Sequence, residues 1–196
     1  KKSWINSEIF DCDIGKGKYR LGEGIMKFFE VFDMLTVDSG LKEVFEEVVA
    51  TKVAASKLSG CITIHIESNH LIPYKDKKKM LYYLKKQLFM QAKGEINFHE
   101  ICRLSGQYTP ENLWNTYKES ILEEVSEQST VWAGILKAAK VSFLGNTMAA
   151  AVPDNFINRE KCTRITAWLE NLYQERYLFP VSVHFEYTPI PEKVSE

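Results

Sequence analysis

The stretch TKVAASKLSGCITIHIES, residues 51–68, is the part of the sequence that most directly indicates the fold. Its second half alternates isoleucine with other residues, so that Ile62, Ile64 and Ile66 stand two positions apart. An alternation with a period of two places the isoleucines on one face of a strand and the intervening side chains on the other. The stretch therefore predicts a β-hairpin whose second strand has one apolar and one polar face.

The segment after this hairpin has the pattern of a helix followed by another strand. Pro73 and Asp76 open a helix that we expect to run to about Phe89, with apolar residues inward and lysines outward. Gly94 ends it, and EINFHEICRL supplies a strand. Residues 51–104 therefore predict the order β-β-α-β.

The same order occurs a second time in the C-terminal half of the chain. KVSFLGNTMAAAV (140–152) predicts a hairpin, and its Gly145-Asn146 turn suits a positive φ. NFINREKCTRITAWLENLYQERY (155–177) predicts an amphipathic helix with Phe156, Ile165 and Leu169 near one face, and PVSVHFEY (180–187) predicts a strand. The predicted class is α+β, with two β-β-α-β units joined by helices. Whether the two units share one sheet stays open.

The helix between the two units has a clear beginning. In GQYTPENLWNTYKESILEEV (106–125), Thr109 is a good N-cap and Pro110 suits the first helical position. Trp114 and Tyr117 fall on the apolar side of the helical wheel, which favours core packing over an exposed aromatic binding surface. A shorter helix is predicted over roughly 129–138.

The ends of the chain are less regular. Residues 1–24 predict a flexible lead-in, 25–50 a short helical N-terminal segment, 51–188 the main α+β domain and 189–196 a linker. Asp38 or Ser39 is expected to cap a short helix in DSGLKEVFEEV. The aromatic residues of MKFFEVF either form a partner-binding hook or pack on the domain. That candidate hook comprises Phe28, Phe29 and Phe32.

Composition and charge exclude several classes of protein. Apolar residues are 45% and charged residues 26%, which predicts a packed globular core. The net charge of −1 argues against bulk attraction to nucleic acid or to an anionic membrane. The sequence contains no apolar run near the length that crosses a bilayer. Four widely spaced cysteines without a C-x-x-C pair favour a reduced, cytoplasmic protein.

Motifs for catalysis or metal binding are weak. Asp11 and Asp13 have a spacing seen in metal-dependent nucleases, but no apolar strand holds them, and GKGK at 15–18 lacks phosphate-loop spacing. For zinc, His99 with Cys102 and His65 with Cys61 are conceivable pairs, but neither is accompanied by a second pair at finger spacing. We therefore expect no cofactor, no metal site and no catalytic centre in this chain.

The segment YKDKKKMLYYLKK (74–86) is the best nucleic-acid candidate, because lysine neutralises phosphates and tyrosine stacks on bases. The candidate residues are Lys75, Lys77, Lys78, Lys79, Lys85, Lys86 and Tyr82. The alternative is a solvated helix face with tyrosines at the core boundary. We favour this alternative because the segment has no arginine and the chain is slightly acidic.

An ordered series of segments resembles the N-terminal region of PolC-type DNA polymerase III of low-GC Gram-positive bacteria. The segments are MKFFEVFDML, ESNHLI, LKKQLF, QYTPENLWNTYKESILEEV, FINRE and LYQERYLFPVSVHFEY. The resemblance covers roughly residues 26–188. It implies that Met26 is the natural start and that residues 1–25 are an extension.

The resemblance implies a place in DNA replication without catalysis by this region. In that family, the corresponding region precedes an OB-fold, a PHP domain split by a 3'-5' exonuclease, and the DNA-directed DNA polymerase core. The catalytic aspartates lie in those later domains, so no residue of this chain inherits them. The family region is thought to bind the τ subunit of the clamp loader, and this subunit is therefore the expected partner. The resemblance assigns no contact residue.

Overall fold

The computed structural model describes residues 26–56 and 58–189. The chain divides into two compact units, Lys1–Leu104 and Ser105–Glu196. The predicted main domain over 51–188 spans the boundary between these units, whereas residues 26–50 contribute to the core of the first. The predicted lead-in at 1–24 lies outside the described residues, as do Asp11, Asp13 and all but the first residue of the predicted linker.

The first unit contains the first predicted β-β-α-β order, which is confirmed. Its elements are β1 (Met26–Lys27), α1 (Phe28–Val31), α2 (Ser39–Phe45), β2 (Val49–Ala55), β3 (Ile62–Ser68), α3 (Tyr74–Gln87) and β4 (Ile96–Cys102). The strands form one sheet in the order β1-β2-β3-β4. β2 and β3 are antiparallel, and α3 connects β3 to the parallel strand β4.

The core of the first unit lies on one face of this sheet. Ile62, Ile64 and Ile66 of β3 are all buried, as their alternation predicts. Met80 and Leu84 of α3 are fully buried and belong to the same cluster. The helix therefore covers the isoleucine face, and the alternate residues of β3 and β4 form the outer face.

The N-terminal segment is less helical than predicted. Residues 26–27 form a strand that pairs antiparallel with β2, and α1 is only four residues long. The N–H of Phe28 donates to the carbonyl oxygen of Val48 at 2.7 Å, which extends this pairing to the beginning of α1. Asp38 caps α2, as expected, because its carboxylate accepts from the N–H of Leu41 at 3.1 Å.

Gly94 lies where the chain approaches the beginning of β3, and substitution there is expected to be costly. Its N–H donates to the carbonyl oxygen of Gly60 at 3.1 Å. A β-carbon at Gly94 would lie 2.5 Å from the nitrogen of Cys61 and 2.6 Å from the carbonyl carbon of Gly60. Because these are backbone atoms, no side-chain rotation relieves the clash. We expect Gly94→Ala to destabilise the first unit by about 1–3 kcal/mol in urea unfolding followed by circular dichroism.

The matched control for this substitution is Gly134→Ala in the second unit. Gly134 is exposed within a helix, and an added β-carbon would meet no atom within 4 Å. Alanine is expected to stabilise that helix by about 0.5–1 kcal/mol, because glycine loses more backbone freedom on folding. Equal effects of the two substitutions would contradict the close approach at Gly94.

The second unit repeats the β-β-α-β order and builds its own sheet. Its elements are α4 (Pro110–Gln128), α5 (Thr130–Ala138), β5 (Lys140–Leu144), β6 (Thr147–Pro153), α6 (Phe156–Asn171), a π-helical turn (Leu172–Arg176) and β7 (Ser182–Thr188). β5 and β6 are antiparallel, and β6 and β7 are parallel. The strand order is β5-β6-β7 in a sheet separate from that of the first unit. The two predicted units therefore do not share one sheet.

The beginning of α4 confirms the predicted cap and core. The hydroxyl oxygen of Thr109 accepts from the N–H of Asn112 at 3.1 Å, and Pro110 occupies the first helical position. Trp114 and Tyr117 are buried. The hydroxyl of Tyr173, in the π-helical turn, donates to the carbonyl oxygen of Pro110 at 3.2 Å, and burial raises the pKa of this phenol.

Phe156 corrects one detail of the predicted core. It is 79% exposed, whereas Ile165 and Leu169 are fully buried. Phe156 and Ile165 are nine positions apart, which at about 100° per residue places them on opposite sides of the helix. The helical wheel therefore contained this signal, and the grouping of Phe156 with the buried face was wrong.

Candidate interaction surface

Helix α3 combines a buried face with a lysine-rich outer face. Asp76 in the first turn and Lys85 and Lys86 in the last turn have the charges that a helix dipole favours. The inward positions on α3 include Met80 and Leu84, which pack in the core. The other side presents most of the residues that the sequence suggested for nucleic-acid binding.

The prediction that Lys77 belongs to that set was wrong, because its side chain is buried. Its Nζ atom lies 2.7 Å from Oε2 of Glu100 on β4, and the two side chains are only 6% and 3% exposed. Position 77 is three residues before Met80 and seven before Leu84, so it belongs to the inward face. Lys77 therefore forms an interior ion pair and presents no charge to a partner.

Two further candidate lysines are held by neighbouring groups. The ammonium of Lys79 lies 2.8 Å from Oδ2 of Asp38, and hydrogen bonding to this carboxylate raises the pKa of Lys79. Lys85 donates to the carbonyl oxygens of Ala92 and Gly94, the latter at 3.0 Å. Lys79 is about half exposed, so its ion pair is weak. Lys85 is bound into the loop that follows the helix.

The remaining candidates form a line along the outer face of α3, which we call the lysine stripe. It consists of Lys75, Lys78, Tyr82 and Lys86, all of which are exposed. Their spacings of three and four residues place them on one side of the helix. The stripe is roughly 16 Å long, since an α-helix rises about 1.5 Å per residue.

Tyr82 is the aromatic centre of the lysine stripe. It is 60% exposed, and the ammonium of Lys86 lies 5.7 Å from its ring centroid. The ammonium of Lys78 lies 6.0 Å from the ring of Tyr74. Cation–π contacts of this length favour the alignment of the lysines along the helix. The stripe thus offers positive charge and an exposed ring to an anionic partner.

The phenylalanine hook is not an exposed surface. Phe28 is fully buried and Phe32 is 1% exposed. The Phe28 ring lies 4.8 Å from that of Phe32 and 5.1 Å from that of Phe45, measured between centroids. Phe29 is partly buried against the same cluster. The alternative that these residues pack on the domain is therefore the one that the structure supports.

The structure separates one of the zinc pairs considered from the sequence, His99 with Cys102. Cys102 is buried on the inner face of the sheet, whereas His99 is exposed on the outer face, so the two side chains diverge. The rings of His65 and His99 are instead neighbours, with centroids 4.7 Å apart. Burial, His99 and Lys52 hold the pKa of His65 below its ordinary value.

Sequence reasoning missed the proximity of these two histidines because it depends on which strands are adjacent. Residues 65 and 99 are register partners on the parallel strands β3 and β4. Among the described residues, no group of three or more histidine, cysteine or acidic side chains is placed to hold a metal ion. No helix among them is long and apolar enough to cross a bilayer.

A model of a known protein family matches part of the chain. Residues 27–98 match the family model described as DNA polymerase III polC-type N-terminus I. The match begins at the second residue of β1 and ends within β4, so it includes the lysine stripe and lies inside the first unit. A search of curated proteins found no match.

Proposed function

Because residues 27–98 match the family model of the PolC-type DNA polymerase III N-terminus I, we propose that this chain is a non-catalytic interaction module of a replicative DNA polymerase. Its proposed partner is the τ subunit of the clamp loader. The family match carries this proposal, since it places the region in the context of DNA replication. The enzyme to which the module belongs would carry the polymerase and 3'-5' exonuclease activities in other domains.

The lysine stripe is the surface that we assign to this contact. It lies within the matched residues, and all four of its side chains are exposed. Residues 61–110 carry eight basic against four acidic side chains, so the stripe is locally positive in a chain of net charge −1. Such a patch favours an acidic partner surface and accelerates association at low salt.

Charge reversal along the stripe tests the proposal. We expect Lys75→Glu/Lys78→Glu/Lys86→Glu to weaken binding to purified τ subunit at least about tenfold in surface plasmon resonance, with most of the change in the association rate at low salt. The matched control reverses three exposed lysines elsewhere, Lys42, Lys137 and Lys140. The control has the same net charge, so it should retain binding. Absence of binding by the unaltered chain would contradict the τ proposal.

A second candidate function is binding of single-stranded DNA by the same stripe. The observation that favours it is Tyr82, which is 60% exposed between lysines and can stack on a base. With three lysines contacting phosphates, the logarithm of the binding constant should fall with the logarithm of salt concentration with a slope of about −2.

Fluorescence anisotropy with a labelled oligonucleotide separates this candidate from the first. The triple glutamate variant should lose DNA binding, and Tyr82→Ala should weaken it by about 1–3 kcal/mol through lost stacking. Binding of τ without measurable DNA binding below about 100 μM, the weak end of ordinary non-specific affinity, would eliminate the DNA candidate.

A further inference from the structure

His65 and His99 form a cross-strand pair on the outer face of the first sheet. The two residues are direct partners in the parallel register of β3 and β4. Their rings are 4.7 Å apart between centroids and inclined by 32°. Residues at the same register position of adjacent strands project to the same side of the sheet, so both imidazoles occupy one surface. Their separation is set by the backbone of two hydrogen-bonded strands.

The ring nitrogens of this pair have no hydrogen-bond partner among the described residues. His70 shows the contrast, because its Nδ1 lies 3.0 Å from Oδ1 of Asn69 and its Nε2 lies 2.8 Å from the carbonyl oxygen of Val44. His99 is exposed, and His65 is only partly buried. Both imidazoles therefore keep nitrogen lone pairs that another group can use.

We propose that His65 and His99 together bind one divalent ion of the borderline class, represented by Zn²⁺, through one nitrogen of each ring. Imidazole suits zinc, copper and nickel ions. Zinc–nitrogen bonds of about 2.0–2.1 Å at adjacent coordination positions place two ring centroids roughly 5 Å apart. The observed centroid separation of 4.7 Å is close to this value, so the two rings are near enough to share one ion.

The neighbouring side chains determine how the coordination of the ion is completed. Glu67, on the same face of β3, is engaged by Arg103, with Oε2 lying 2.8 Å from Nε of the guanidinium. Lys52 is the register partner of His65 on β2, and its positive charge opposes a cation. Within residues 26–56 and 58–189 the chain thus supplies two ligands, and water or a donor from another molecule fills the other positions. The bound ion links β3 to β4 across the outer face.

Zinc titration of the full chain tests this site. A Cys61→Ser background removes the partly exposed thiol near the beginning of β3. In that background we expect ZnCl₂ to raise the melting temperature saturably and to shift the histidine ring resonances of His65 and His99 in NMR spectra. His65→Ala and His99→Ala should each abolish both responses. His184→Ala, at an exposed position of β7, should leave them unchanged.

Substitution of Lys52 is expected to change zinc affinity in the opposite direction to substitution of either histidine. Lys52→Ala removes the neighbouring positive charge and should tighten zinc binding, most strongly at low salt. His99→Ala alters an exposed side chain, so its loss of response would not result from unfolding, and circular dichroism verifies this. Zinc responses that persist in both histidine variants, or that are absent from the unaltered protein at millimolar zinc, would overturn the proposal.

Discussion

Replacement of Phe28 with alanine is expected to lower the free energy of unfolding of the first unit by about 3–5 kcal/mol. Phe28 is fully buried, and its ring contacts those of Phe29, Phe32, Phe45 and Phe98. Truncation removes the transfer free energy of the ring and leaves a cavity among aromatic side chains, which cannot collapse fully because β1 and β2 hold the backbone.

Hydrogen exchange of the β3 amides measures this loss in the first unit. The described residues up to Leu104 include no tryptophan, whereas Trp114, Trp132 and Trp168 lie in the second unit. In a Trp4→Phe background, tryptophan fluorescence therefore reports the second unit and serves as an internal reference. Met34→Ala is the control, because Met34 is 58% exposed and its truncation should change stability by no more than about 0.5 kcal/mol.

This measurement also distinguishes a core role of Phe28 from a role in partner binding. If Phe28 were a partner-binding anchor, its truncation would weaken partner binding and leave exchange of the β3 amides unchanged. A destabilisation below about 1 kcal/mol would contradict the buried position. A loss of several kcal/mol would show that Phe28 is a core residue, so a binding defect of Phe28→Ala would not identify it as a partner contact.

Removal of Glu100 is expected to cost about 3–5 kcal/mol, because it leaves the ammonium of Lys77 buried without its carboxylate. The Nζ–Oε2 distance is 2.7 Å, and both side chains are almost completely inaccessible. The pair joins α3 to β4, so it fixes the crossover helix against the parallel strand. We therefore expect Glu100→Ala to be among the most destabilising substitutions in the first unit.

Replacement of both partners should recover most of that stability. Lys77→Met/Glu100→Leu exchanges two desolvated charges for apolar side chains of similar size, and such replacements are often neutral or stabilising by about 1–4 kcal/mol. Urea unfolding of the two single variants and the double variant gives the coupling energy directly. If the double variant were as unstable as Glu100→Ala, the cost would lie in packing and not in the loss of the carboxylate beside Lys77.

The helices and strands near strong local signals were predictable from the sequence. The isoleucine alternation of β3, the cap at Thr109 and the turn at Gly145 each depend on residues a few positions apart, and all are present as predicted. The exposure of Phe156 was also contained in the helical periodicity, but it was assigned to the wrong face. Local periodicity thus determines an element and its inward side, provided that the angles are followed along its whole length.

The candidate surface was only partly predictable. The lysine-rich helix was correctly located, but Lys77 was grouped with the exposed Lys75, Lys78 and Lys86. Its spacing from Met80 and Leu84 already indicated the inward face, whereas its ion-pair partner was not indicated by any local pattern. The carboxylate beside Lys77 is that of Glu100 on β4, beyond the end of α3 and the loop that follows it. Such a partner becomes visible only when the parallel pairing of β3 and β4 brings the two segments together.

The sequence by itself determined the α+β class, the repeated β-β-α-β order and the resemblance to the PolC N-terminal region, because these depend on local patterns. Tertiary structure decided that the strands form two sheets, that Phe28 is core, and that His65 lies beside His99. The physical reason is that burial and contact depend on segments distant in the chain. Hydrophobic periodicity selects the side of an element that is covered, whereas strand pairing selects which residues share a surface.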